Sequence, residues 1–124
     1  MSKRILLIDD EVPLRRVVQL TLYLTAGWEV ISVGSGEEAL QQAEIQQPDA
    51  ILLDLMMPDM DGLSILSRLR ANLATQHIPI IVMTAKVQAL YQLEYQQLGI
   101  AAIFIKPFEP TTLVQQVKTT LGWD

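Results

Sequence analysis

Residues 51–62 read ILLDLMMPDMDG. Residues 50–53 are a continuous apolar run, the pattern of a strand covered on both faces, since a half-exposed strand would alternate. The run stops at Asp54, and two methionines, a proline and two more acids follow before the chain turns at Gly62. A buried strand that ends on a carboxylate delivers charge to one edge of its sheet, so the neighbouring segments decide what that edge is.

The same order recurs outward from this stretch. Residues 3–8, KRILLI, form a short run cut off by Asp9-Asp10-Glu11, and Pro13 suits the first turn of a helix. Leu14, Val17, Val18 and Leu22 fall on one helical stripe that ends near Gly27. A strand is expected over residues 28–33. Ser35 and Glu38 have the spacing of a capping box, and Ala39, Leu40 and Ala43 give the next helix an inner face before Pro48-Asp49 marks its exit. Beyond Gly62, Leu63, Leu66, Leu69 and Leu73 make another stripe, and residues 78–83 a fourth strand. Val87, Leu90, Tyr91 and Leu98 line a helix running towards Gly99, residues 101–105 are a fifth strand, and Pro110 opens a last helix carrying Leu113, Val117 and Leu121. Five strand-then-helix units imply an α/β fold, a doubly wound parallel sheet with helices on both faces, because parallel strands need crossovers and crossovers are right-handed. No segment is left for a linker, and residues 1–124 read as one domain.

Half of the residues are hydrophobic, enough for a substantial core, and there is no cysteine, which excludes disulfides and thiolate metal sites and agrees with a reducing compartment. Every apolar run falls well short of the roughly eighteen residues that span a bilayer, and Met1-Ser2-Lys3-Arg4 leads straight into a strand. A cytoplasmic protein without signal peptide or membrane contact is expected. The net charge of −5 disfavours a nucleic-acid surface, which needs concentrated Lys and Arg.

In an open α/β sheet, ligands collect at the carboxyl ends of the strands. Asp9 and Asp10 follow the first strand there, Asp54 the third, Thr84 the fourth and Lys106-Pro107 the fifth. Singly, each has a plain structural explanation: an acid meets a helix dipole, Thr84 caps a helix, Lys106 is solvated. Together they crowd one edge. Two carboxylates about 4 Å apart repel by roughly 4 kcal/mol at an effective dielectric near 20, so three acids need more compensation than one ammonium provides. A hard divalent cation in an open oxygen site suits Mg²⁺, and with metal and ammonium in place one carboxylate can attack phosphorus.

The run Ile5-Leu6-Leu7-Ile8-Asp9-Asp10-Glu11, the stretch from Asp54 to Gly62, the pair Thr84-Ala85 and the ending Lys106-Pro107-Phe108 together resemble the CheY-like receiver domain of two-component response regulators, in order and over essentially the whole chain. The resemblance implies a flavodoxin-like (βα)5 fold with strand order 2-1-3-4-5. It implies that Asp54 is the phosphoacceptor, taking a phosphoryl group from a sensor histidine kinase, a phosphotransfer protein or a small phosphodonor. Asp10, Asp54 and the backbone carbonyl of Met56 would ligate Mg²⁺, with Asp9 acting mainly through a water on the ion. Thr84 would hydrogen-bond the phosphoryl group, Lys106 would pair with it, and the Lys106–Pro107 peptide would be cis. The output would be altered binding to a downstream protein, with a homodimer formed on phosphorylation, and the only chemistry would be phosphorylation and dephosphorylation of the domain itself. One position departs from the family pattern. Tyr or Phe usually stands three residues before the lysine as a rotating switch, and here Ile103 does; Phe104 should face the other way.

Two other functions compete. Gly34-Ser35-Gly36-Glu37-Glu38-Ala39 is a loose dinucleotide fingerprint, but a cofactor there leaves Asp9, Asp10, Thr84 and Lys106 unexplained. A phosphohydrolase with an aspartyl nucleophile would want an acid two residues after Asp54, where Met56 stands. Asp59-Met60-Asp61-Gly62 imitates part of an EF-hand, yet the ends of that loop would be Met57 and Arg68, so a solvated turn with Asp61 as a helix cap is expected. His77, the only histidine, precedes the fourth strand at the opposite edge and reads as a surface residue. Trp28, Trp123, Tyr23 and Tyr91 read as packing or surface, and Tyr95 as a residue that could meet a partner.

Overall fold

The computed structural model describes residues 2–55, 57, 61–85 and 97–124. Its elements are β1 (Arg4–Ile8), α1 (Val12–Ala26), β2 (Glu29–Val33), α2 (Gly36–Gln46), β3 (Ala50–Asp54), α3 (Gly62–Ala71), β4 (Ile80–Thr84), β5 (Ala102–Ile105) and α4 (Pro110–Leu121). The helix expected through Val87, Leu90 and Tyr91 lies outside the described residues. All strand pairs are parallel, and the order is β2-β1-β3-β4-β5, so the doubly wound flavodoxin-like expectation holds.

The two-residue period of the strands splits the core in two. Leu6, Ile8, Ile51, Leu53, Ile80 and Val82 face Ala39 and Ala43 of α2 and Ile65, Leu66 and Leu69 of α3. Ile5, Leu7, Ala50, Leu52, Ile81, Met83 and Phe104 face Val18 and Leu22 of α1 and Leu113, Val114 and Val117 of α4. Every residue of β3 and β4 is buried, as their unbroken apolar runs require. Leu40, Leu63 and Leu98 pack at the rim of the first cluster, and Leu14 and Leu121 at the rim of the second.

Two expected core residues are not core. Val17 is 48% exposed, because the buried stripe of α1 is centred on Val18 and Leu22, and Leu73 is 81% exposed because α3 has already ended at Ala71. Gly27 ends α1 with φ +71, a left-handed conformation that side chains other than glycine's disfavour; its N–H donates to the Tyr23 carbonyl at 2.8 Å and the Trp28 N–H to the Leu22 carbonyl at 3.3 Å. Gly62 is required for closeness instead. A Cβ there would stand 2.6 Å from Leu55 Cα and 3.1 Å from the Leu55 carbonyl oxygen, so the start of α3 rests directly on the backbone leaving β3.

Candidate functional site

The ladders themselves gather the site. Asp54, the last residue of β3, lies opposite Met83, and Thr84, the last of β4, lies opposite Ile105. The Lys106 N–H donates to the Thr84 carbonyl at 2.9 Å, and the Asp9 N–H to the Val33 carbonyl at 3.1 Å. Asp9, Asp54 and Thr84 are buried. Buried carboxylates are costly unless paired, and Lys106 pairs with both Asp9 and Asp54. Its Nζ lies 2.7 Å from Asp9 Oδ2, 3.3 Å from Asp54 Oδ2 and 3.3 Å from Glu11 Oε1. Burial, the largest single influence on this ammonium, favours its neutral form, but the Asp9 hydrogen bond and the charges of Asp54, Asp9 and Glu11 together outweigh it and raise the Lys106 pKa.

Asp9 is fixed from several sides. Its Oδ1 accepts the Glu11 N–H at 2.9 Å, and Arg15 Nη1 donates to its carbonyl oxygen at 2.9 Å. Gly34 sits against that guanidinium, which a Cβ at this position would meet, so the glycine that resembled part of a nucleotide loop makes room for Arg15. Ser35 is likewise accounted for locally, accepting the Glu38 N–H at 3.3 Å as the cap of α2.

Of the residues expected at the site, Asp9, Asp54 and Lys106 are in direct contact, and Thr84 ends the adjoining strand. Asp10 is exposed beside them, and Met56 lies outside the described residues. Glu11 joins the cluster although it was not among the residues expected there. One signal was present: Glu11 occupies the N-cap of α1, a position favouring Ser, Thr, Asp or Asn, and it makes no side-chain cap. Oxygen atoms of Asp9, Glu11 and Asp54 all lie within 4.8 Å of one another. Asp9 and Asp54, hard carboxylates on the buried floor of this cluster, fit a divalent cation such as Mg²⁺, and Glu11, whose side chain is 60% exposed, stands at its rim towards water.

The Lys106–Pro107 peptide is cis. Phe104 is buried in the second core cluster while Ile103 is exposed, the opposite orientations that strand alternation requires. Asp61 caps α3, accepting the Ser64 N–H at 2.8 Å, and His77 is exposed. Trp28 packs edge-on to Trp123 with centroids 5.4 Å apart, and Tyr23 is exposed. Asp59, Tyr91 and Tyr95 lie outside the described residues.

A flavodoxin-like domain with an acidic, cation-ready cluster closed by a half-buried lysine is the class that these observations define. The family follows from comparison: a model of the response regulator receiver domain matches residues 5–118, and the chain belongs to that family. It is 36% identical over 121 residues to the alkaline phosphatase synthesis transcriptional regulatory protein PhoP of Bacillus subtilis, covering 98% of this chain and 49% of that protein. The chain thus spans about half the length of the curated relatives it matches. Among solved structures, the chemotaxis response regulator CheY4 of Vibrio cholerae superposes with a TM-score of 0.86 at 29% identity, covering 97% of this chain and 99% of that one. The receiver domain of sensor histidine kinase PA1611 from Pseudomonas aeruginosa superposes with a TM-score of 0.82 at 30% identity, covering 98% and 99%. That structure is described with a magnesium ion coordinated in its active site cleft.

Proposed function

We propose that this receiver takes a phosphoryl group onto Asp54 from a sensor histidine kinase, a phosphotransfer protein or a small phosphodonor, and that the modified domain changes its affinity for a downstream protein. The observation that carries the reading is Lys106 Nζ held between Asp9 and Asp54 at the carboxyl edge of the sheet. Asp54 Oδ is the nucleophile. Lys106 turns from Asp9 and Glu11 towards the arriving phosphoryl oxygens, and the Thr84 hydroxyl donates to another of them. Asp9, Asp10, Asp54 and the Met56 carbonyl are the groups that would hold Mg²⁺. When bound, the ion supplies positive charge that offsets the acids and the gathering phosphoryl charge. The acyl phosphate adds roughly one negative charge and further acceptor oxygens, which biases the loops bearing Thr84 and Lys106 between two states.

The chemistry is confined to the domain itself, since Met56 stands where a phosphatase would place its acid. The setting is cytoplasmic; among the described residues no helix is long and apolar enough to cross a membrane. A second copy of the chain is a further partner on phosphorylation, with exposed Ile103 and Ile105 on edge strand β5 supplying apolar surface. A net charge of −5 disfavours DNA contact by these residues.

Intact-mass measurement after incubation with acetyl phosphate and Mg²⁺ tests the central claim. One phosphoryl group is expected on the wild type and none on Asp54→Asn or after chelation. Stoichiometric labelling of Asp54→Asn would refute the assignment.

A further inference from the structure

Against the open side of the acid cluster lies a pocket of about 340 Å³ lined by Glu11, Leu14, Ala85, Lys106, Pro107 and Phe108. It shares Lys106 and Glu11 with the cluster and is otherwise walled mainly by apolar groups. A phosphodonor engaging Asp54 from this side would bring its phosphoryl oxygens to Lys106 and leave its departing group among Leu14, Pro107, Phe108 and Glu11. Glu11 contributes the negative charge of this lining, and its carboxylate is tied to the pocket by Lys106 at 3.3 Å rather than spent as a helix cap.

Resting on the phosphoacceptor role of Asp54 given above, we propose that Glu11 selects phosphodonors by the charge of their leaving group, favouring a protonated nitrogen and disfavouring a carboxylate. Phosphoramidate reacts as a monoanion: Asp54 Oδ forms the new P–O bond, the P–N bond breaks with its electron pair staying on nitrogen, and the already protonated nitrogen leaves as neutral ammonia. Acetyl phosphate reacts as a dianion: the same P–O bond forms, the bond from phosphorus to the acyl oxygen breaks, and acetate leaves with its negative charge. Glu11 attracts the nitrogen end of the first donor and repels both the second donor and its product.

The size of the effect follows from Coulomb's law in a wet site. One unit charge about 5 Å away in near-aqueous surroundings changes a rate by roughly three- to fivefold, and salt reduces it. Labelling rates are measured for the wild type and Glu11→Gln with both donors at saturating Mg²⁺, with the metal affinity of each protein determined separately by calorimetry. Glu11→Gln is expected to raise the ratio of the acetyl phosphate rate to the phosphoramidate rate about threefold or more, with the change shrinking at high ionic strength. Glu37→Gln, which removes the same charge from the exposed Glu37–Arg68 pair, should leave the ratio unaltered. An unchanged ratio in Glu11→Gln, or an equal change in Glu37→Gln, would overturn the proposal. So would a tenfold or greater loss of Mg²⁺ affinity in Glu11→Gln with no change of ratio, which would make Glu11 a metal ligand instead. Failure of the wild type to label with either donor would refute the phosphoacceptor reading itself.

Discussion

Lys106 is the residue on which the site turns, and its chemistry can be examined without any phosphodonor. Its ammonium is held above its ordinary value of 10.5 because the Asp9 hydrogen bond and three carboxylate charges together outweigh burial. A group whose pKa is raised by folding stabilises the fold fully below its unfolded value and loses that contribution as pH rises through the folded one. The window here is therefore alkaline, beginning near 10.5. In urea unfolding without metal, the wild type should lose stability more steeply above that pH than Lys106→Met, while neither shows a step from this group at neutral pH. Glu11 marks the limit of reading at this scale. Its partner lies 95 positions away in the chain, and no local pattern announces a contact of that range.

At the scale of elements, the apolar runs of β3 and β4 were legible because burial on both faces leaves a direct trace in residue order, whereas the equally apolar run of β5 hides the exposure of Ile103 and Ile105. Helix faces were less so. Val17 satisfies a 3.6-residue count as well as Val18 does, and only the seating of α1 on Ile5, Leu7 and α4 decides between them. Leu73 extended a regular leucine stripe past the end of α3, where Asn72 leaves the helical conformation with ψ 121 and its side chain accepts the Ala74 N–H at 2.9 Å. Arg70 then fastens the far end of α3 by donating to the carbonyls of Gln76, Ile78, Leu98 and Gly99, a clamp invisible in a charge pattern. The near end depends on Gly62. Gly62→Ala should cost about 1–3 kcal/mol, as overpacking does, because the obstruction includes the Leu55 backbone and not merely a flexible side-chain tip. Chemical denaturation would measure this, and a loss below about 0.5 kcal/mol would show that the α3 entrance can shift without penalty.

Across the whole molecule, the acids of the site are a standing electrostatic load that a cation relieves in the folded state alone. Mg²⁺ should therefore raise the unfolding free energy, by about 2.7 kcal/mol at a concentration one hundred times its dissociation constant. Asp10→Asn, which removes a proposed direct ligand while leaving the Lys106–Asp9 pair in place, should remove most of that increment while the fold persists, and a denaturation series with and without chelator would show it. The general architecture was open to sequence reasoning because five repeated units admit few topologies, whereas the strand order came only by resemblance. A separate consequence follows from the Lys106 contact with Asp9, which bridges 97 positions between the first strand and the residue after the last. An emerging chain possesses both aspartates long before it possesses the lysine, and a chain whose fifth strand has not docked has no ammonium at the acids. On the role proposed for Lys106, competence to take a phosphoryl group is withheld until the fifth strand has docked, so partly made or partly unfolded copies would stay silent.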